Sequence, residues 1–275
     1  MKLKLSLCGL CFLLLFCGKA QNYDFPSLST SALGLSGASD TTCWSVFSNP
    51  SGISSVKETS AGCGYHRAFM TEALSARSAF VVFPTEWIHT GGGYVQFGNS
   101  LFSVRGFSLT LARRLSPKLQ MGCRFKYVIR SISGSDDEGT PVWDAGLRYG
   151  ITDGVWMSVL AHNPAKSSIK SEFNEQPLSS FLAVACDFRL SSSFILTTDV
   201  AHYASLSEQT YGVGISAIIS DYGVLRGAVS GKPVVFSVGA TLNPGPFSIS
   251  VGAGHHDRLG MSPYAGITYH FGEGQ

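Results

Sequence analysis

The sequence predicts an all-β fold, a transmembrane antiparallel up-and-down β-barrel of about fourteen strands, with twelve also compatible. Three observations carry that reading. The chain opens with a secretion signal; it then alternates apolar and polar residues with a period of two; and it holds few charges yet has no apolar run long enough for a membrane helix. Only helices and closed barrels satisfy the backbone within lipid, so removing the helix leaves the barrel.

The signal occupies residues 1–20. Lys2 and Lys4 precede an apolar run from Leu5 to Cys17, and Gly18-Lys19-Ala20 supplies small residues at −3 and −1 of a cleavage site between Ala20 and Gln21. The core is too short to span a bilayer. Neither Cys11 after Leu10 nor Cys17 after Phe16 has the small residue that lipidation needs before it. Charged residues make up 14% of the chain, against about 25% in ordinary soluble domains. Net charge is +2 with no basic run, which gives no reason to expect nucleic acid as a partner. Beyond the signal lie Cys43, Cys63, Cys123 and Cys186. Their spacing matches no zinc pattern, and they read as small apolar side chains, a Cys43–Cys63 disulfide being the alternative.

From residue 59 to 275 the period of two dominates. Met121, Cys123, Phe125 and Tyr127 alternate with Gly122, Arg124 and Lys126; Trp143, Ala145 and Leu147 alternate with Asp144 and Gly146; Phe247, Ile249 and Val251 alternate with Ser248 and Ser250. An apolar face against lipid and a small or polar face toward a lumen produce this pattern. Short turns at Ser116-Pro117-Lys118, Thr152-Asp153-Gly154, Ser191-Ser192-Ser193, Ser220-Asp221-Tyr222 and Asn243-Pro244-Gly245-Pro246 read as periplasmic. Longer polar stretches at 134–139, 165–177, 205–209 and 255–262 read as the extracellular rim. Turns at Thr85-Glu86 and Gly98-Asn99 mark the first strands less sharply. Trp143, Tyr149, Tyr203, Tyr211, Tyr264 and Tyr269 fit aromatic girdles. The last strand, ending at Phe271, is amphipathic and aromatic-terminated like the signal read by barrel-insertion machinery.

By parity Arg124, Lys126, Arg130, Asp144, Arg148, Asp187, Arg189 and Asp199 face the lumen. Charges there need partners or water. A paired network joining plug to wall is one reading, an anion-selective pore the other. Catalysis finds no constellation. His255-His256-Asp257 could offer metal ligands, but neighbours on a strand point to opposite faces, so a solvated loop tip is expected and no metal or cofactor is assigned. Gly91-Gly92-Gly93 lacks the Lys-Ser/Thr of a phosphate loop and reads as close packing against the plug or a strand kink.

Residues 31–55 do not alternate. Gly34, Gly37, Ala38, Asn49, Pro50, Gly52 and Ile53 resemble the N-terminal signature of FadL-type outer-membrane barrels, particularly their PorV/PorQ branch, and the run Leu109 to Ser116 looks similar too. Ser51 stands where that family usually has Ala. On physical grounds Asn49 before Pro50 leaves the α region and ends any helix, while Gly52 allows a sharp turn into the first strand. The resemblance implies that residues 21–58 form a plug segment in which Gly34 to Ile53 fill the lumen, a periplasmic linker being the alternative. It further implies an accessory role in protein export (type IX secretion) at the Gram-negative outer membrane, with secretion subunits or exported proteins bound by the loops at 134–139 and 165–177. The alternative is a channel for hydrophobic small molecules, with an apolar pocket near Trp44, Phe47, Trp156 and Leu160 and a lateral opening at a kinked strand. Outer-membrane lipid is a partner in both.

Overall fold

A computed structural model describes residues 35–170, 175–204, 208–231 and 233–272. The signal at 1–20, residues 21–34 of the plug with Gly34, and parts of the 165–177 and 205–209 loops lie outside the described residues. Sixteen strands are formed. They are β1 (Ser60–Arg67), β2 (Ser75–Phe83), β3 (His89–Gly98), β4 (Phe102–Ser116), β5 (Leu119–Ile132), β6 (Glu138–Gly150), β7 (Val155–His162), β8 (Ser168–Lys170) and β9 (Glu175–Pro177). The series continues with β10 (Phe181–Arg189), β11 (Phe194–Tyr203), β12 (Glu208–Ile219), β13 (Gly223–Ser230), β14 (Val235–Leu242), β15 (Phe247–His256) and β16 (Gly260–His270).

Fourteen of them close into one barrel in which each strand pairs with its chain neighbours and β16 pairs back on β1; β8 and β9 form a separate hairpin between β7 and β10. Every barrel pair is antiparallel. Closure from β16 to β1 leaves no open edge, the condition a sheet must meet in lipid. All five short turns fall at one end of the barrel, with Thr85-Glu86 beside them, and Gly98-Asn99 turns at the other.

The alternation sorts the two faces as expected. Phe107, Phe125, Tyr127, Val213, Val238 and Val251 point outward and are exposed; Val104, Thr110, Gln120, Asp144, Ser237 and Thr268 point inward and are buried. Exposed large apolar side chains all round a closed wall place the chain across the outer membrane as a multi-pass barrel. Near the short-turn end, Trp87, Tyr222, Phe247, Tyr269 and Phe271 are exposed, with Phe247 and Tyr269 ring centroids 5.1 Å apart. Tyr264 and Tyr203 depart from the expected girdle. Tyr264 shares the parity of Thr268 and is buried, and Tyr203 packs on Phe181 inside the wall.

The ladders of β3 run without a register shift from Thr90↔Phe83 to Phe97↔Ala76 and from His89↔Ala112 to Gly98↔Ser103. No bulge therefore interrupts β3. The one shift in the barrel ladders lies between Arg114 and Ser116, where β4 tightens into the Pro117-Lys118 turn. The cysteines are free. Cys63 faces outward and is exposed while Cys43 is buried inside the barrel, so the wall separates the pair and no disulfide forms.

Candidate functional site

Val46, Phe47, Asn49 and Pro50 pack against inward-facing glycines of the wall, and the local order of their segment follows from small polar side chains. Gly37 takes φ 83°, and the amide of Asp40 donates to its carbonyl oxygen at 3.2 Å. The Asp40 carboxylate accepts from the Thr42 amide (3.0 Å), the Thr42 hydroxyl (2.8 Å) and the Ser48 hydroxyl (3.1 Å). Thr42 caps a 3-10 turn, Cys43–Phe47, and Asn49 caps a second, Pro50–Ser55. Asn49 has ψ 113°, the extended state expected before Pro50.

Asn49 is fully buried, and its side chain is fully used. Oδ1 accepts from the Ser51 amide (3.0 Å) and hydroxyl (2.8 Å); Nδ2 donates to the Ala38 carbonyl (2.6 Å) and, on β7, to the Val159 carbonyl (3.3 Å). An amide buried this deeply is tolerated because each polar atom has a partner.

The wall makes room by omitting side chains. A Cβ at Gly146 would stand 1.9 Å from Asn49 Oδ1, and one at Gly122 2.6 Å from the Pro50 carbonyl carbon. Gly91 and Gly93 similarly admit Val46 and Phe47. The glycine run in β3 thus serves close packing. Gly52 has a different role from the one expected. Its φ is not positive and the turn continues to Ser55; a Cβ would meet the Asp40 carbonyl oxygen at 2.0 Å, so compactness of the segment, not redirection, requires glycine here.

Inward-facing charges form separate groups. The densest is centred on Asp144, which is fully buried. Arg124, directly opposite on β5, gives it Nη2 at 2.6 Å and Nε at 2.7 Å; Lys126 follows at 3.3 Å and His162 at 3.0 Å. The Asn163 amide also donates to Asp144, at 3.0 Å. Arg124 Nη1 then donates to the carbonyl oxygen of Val46 at 2.7 Å, joining wall to inner segment. A second group lies nearer the long loops, where Arg130 pairs with Glu138 and donates to Gln176 of β9. In a third, Arg148 meets Asp187 at 3.3 Å and lies 4.3 Å from the Trp156 ring centroid; Thr197 donates to Asp187 at 2.8 Å. Asp199 accepts from the Ser36 amide at 3.0 Å and from its hydroxyl. Arg189 joins none of these groups; it ends β10 exposed, at the rim of a cavity.

That cavity, about 470 Å³, opens at the short-turn end between Arg148, Trp156, Arg114, Gln120 and Arg226. A second, about 360 Å³, adjoins it through Thr41, Thr42, Val224 and Arg226 and reaches Trp44, Val56 and His270. Pockets of this size hold small molecules. The four aromatic and aliphatic residues expected to touch a ligand are not brought together. Trp44 and Phe47 cluster with Phe80 of β2, with Trp44 and Phe80 centroids 4.6 Å apart in an edge arrangement. Leu160 is buried in another cluster with Ala38, Ala183, Ala185 and Ala201, and Trp156 lines the larger cavity. Burial pushes the Cys43 thiol up to about 11. Sequence reasoning missed Arg226, which lines both cavities, and Tyr264, whose ring occupies the space left by Gly252. Parity with Thr268 was the available sign for Tyr264.

At the other end, the β8–β9 hairpin packs into the mouth. Ile169 is fully buried against Val142, Leu178 and Val128. Asn163, at φ 45°, fixes the connection by donating to the Ser167 (3.3 Å) and Ser179 (3.1 Å) carbonyls. His255 points outward and is exposed, whereas the ring of His256 lies edge-on to Phe69 and its Nδ1 accepts from the Arg258 amide at 3.1 Å. Among the described residues no group of His, Cys, Asp and Glu is placed to hold a metal.

No family model matches the chain, and no curated protein does. Solved structures do. A Pseudomonas aeruginosa FadL homologue superposes with a TM-score of 0.64 at 9% identity over 92% of this chain and 100% of its own. The Pseudomonas putida toluene transporter TodX gives 0.65 at 10% identity, covering 91% and 97%, and the monoaromatic hydrocarbon channel CymD 0.66 at 14%, covering 90% and 97%. At such identities the likeness establishes the fold alone, a closed barrel like those of the FadL-type channels, and does not single out the PorV/PorQ branch.

Proposed function

We propose that this barrel is an outer-membrane channel for small hydrophobic molecules, not an enzyme, in which residues 35–58 plug the lumen. The single observation that carries the reading is a cavity of about 360 Å³ beside the Trp44 ring. Its lining sets Trp44, Val56 and Val224 beside hydroxyls and the charged Lys57, Glu58 and Arg226, so a small apolar solute would rest on the Trp44 side, held weakly enough to leave. Fold neighbours described as hydrocarbon channels and a toluene transporter support the same substrate class.

The export role implied by the PorV/PorQ resemblance is less well supported. None of the fold neighbours named above is described as a secretion component. The test is uptake of radiolabelled toluene by vesicles reconstituted with the full chain, beside a sugar of similar size. Faster toluene entry than in empty vesicles, with no gain for the sugar, is the expected result. Equal gains for both would mean an open polar pore, and no gain for either would end the channel reading.

A further inference from the structure

Outward positions of β5, β6, β7 and β10 through β16 carry no Asp, Glu, Lys or Arg among the described residues. The outer wall of β1, β2 and β4 differs. Arg67, Arg77 and Arg105 share the outward parity of Tyr65 and Phe107, and they gather at the long-loop end. Register stacks this face in rows. One row runs Ala79, Tyr94, Phe107 and Tyr127 across β2 to β5. One pleat nearer the long loops it becomes Tyr65, Arg77, Gln96 and Arg105, and beyond that Arg67 pairs with Ser75 and Ser103 with Ser131. An aromatic row marks the edge of the hydrocarbon, so the arginines stand at headgroup height, where cations on the outer wall cost little.

The wall is recessed here. A cavity of about 430 Å³ lies between Arg77, Arg105, Gln96, Ser75, Ser103 and Glu72. Two of the arginines have buried nitrogens without a partner, Nε of Arg67 and Nε of Arg105. Arg105 Nη2 is held by Ser131 at 2.8 Å and by Asp137 at 2.6 Å, which aims the guanidinium along the wall. Asp137 and Glu72 are the carboxylates in view, and both lie outside the strands, toward water.

We propose that this recess binds the phosphate of a phosphorylated glycolipid in the outer leaflet. Guanidinium forks match phosphate oxygens in pairs, and of the two orphaned donors the Nε of Arg105 belongs to a residue that lines the recess. Hydrogen-bonded strands fix the spacing of the arginines, so the site is preformed. Acyl chains would descend over Ala79, Phe107 and Leu109. The outward arginine at the opposite end, Arg113, is instead placed 6.0 Å from the Trp87 ring centroid. The site is independent of what crosses the lumen.

The test is native mass spectrometry of the full chain, incubated in detergent with a bis-phosphorylated glucosamine disaccharide lipid or its dephosphorylated counterpart. The wild-type protein retains the phosphorylated lipid preferentially, by about tenfold or more. Arg77→Ala with Arg105→Ala abolishes that preference, Arg113→Ala keeps it, and Asp137→Asn raises retention by freeing Arg105. Heat-modifiable migration confirms that each barrel is folded, and Arg77→Gln, at an exposed position, gives the same readout singly. Equal retention of the two lipids by wild type overturns the proposal. So does a preference that survives the double variant, or one that equimolar inorganic phosphate erases.

Discussion

Arg124 donates to the carbonyl oxygen of Val46 at 2.7 Å, and this bond ties β5 to the segment inside the barrel. The same guanidinium is bound to Asp144 by two other nitrogens, so position of the segment and neutrality of the wall depend on one side chain.

Replacing Arg124 with Met leaves Asp144 buried with only Lys126, His162 and the Asn163 amide beside it. Removing one partner of a buried ion pair costs about 3–5 kcal/mol, and replacing both costs much less. Arg124→Met is therefore expected to lower the urea midpoint of unfolding, followed by tryptophan fluorescence in lipid vesicles. Arg124→Met with Asp144→Leu should recover most of the loss. A double variant as unstable as the single one would mean that the bond to Val46 dominates.

Gly146→Val places atoms where Asn49 Oδ1 now lies, since even a Cβ would stand 1.9 Å away. Neither Asn49 nor β6 can yield without losing buried hydrogen bonds, so the cost should reach about 1–3 kcal/mol, the usual range of overpacking. The segment, not the barrel, is expected to give way. Protease added to the periplasmic face should then cut within residues 35–58 while the barrel fragment stays intact.

Cys43 offers a direct probe of that segment. Its thiol is pushed up to about 11 by burial, so the folded protein holds it protonated at pH 8. The thiolate fraction there is about one in a thousand, against roughly a quarter for a free cysteine of pKa about 8.5. With Cys63, Cys123 and Cys186 changed to Ser, maleimide labelling at pH 8 should be hundreds of times slower in the folded protein than in denaturant. Gly146→Val should bring the two rates together. Fast labelling of the folded wild-type residue would show that the segment leaves its place readily.

The proposed channel distinguishes its two cavities. Trp44→Ala removes the aromatic surface of the smaller one and Trp156→Ala that of the larger. If the smaller cavity is the binding place, Trp44→Ala should reduce saturable toluene uptake several-fold and Trp156→Ala should leave it near the wild-type level. The opposite order would move the site next to Arg148.

Parity made most of the barrel legible in advance. In Phe125, Tyr127 and Trp143 against Arg124, Lys126 and Asp144, adjacent residues differ so sharply that the faces are unambiguous, and the turn residues at Asn243-Pro244-Gly245-Pro246 fix where strands stop. The inner segment was legible in its anchor and not in its contacts. Asn49-Pro50 announced an extended residue before a turn, but that Asn49 would reach Val159 depends on pairs 110 residues apart. Where the expected ligand residues lie relative to one another was not legible for the same reason. Trp44 and Trp156 are apolar in sequence wherever they lie; only the path of the segment decides that one joins Phe80 and the other lies under Arg148. Arg67, Arg77 and Arg105 break the alternation in three different strands, so their company emerges only once register is known.

Asp144 receives Arg124, which grips the inner segment, and Asn163, which pins the β8–β9 hairpin in the opposite mouth. Both obstructions in the tube are thereby fastened to a single carboxylate. Loosening either one slackens the other's mooring, so in the proposed channel traffic from either side would meet a shared latch instead of two independent doors.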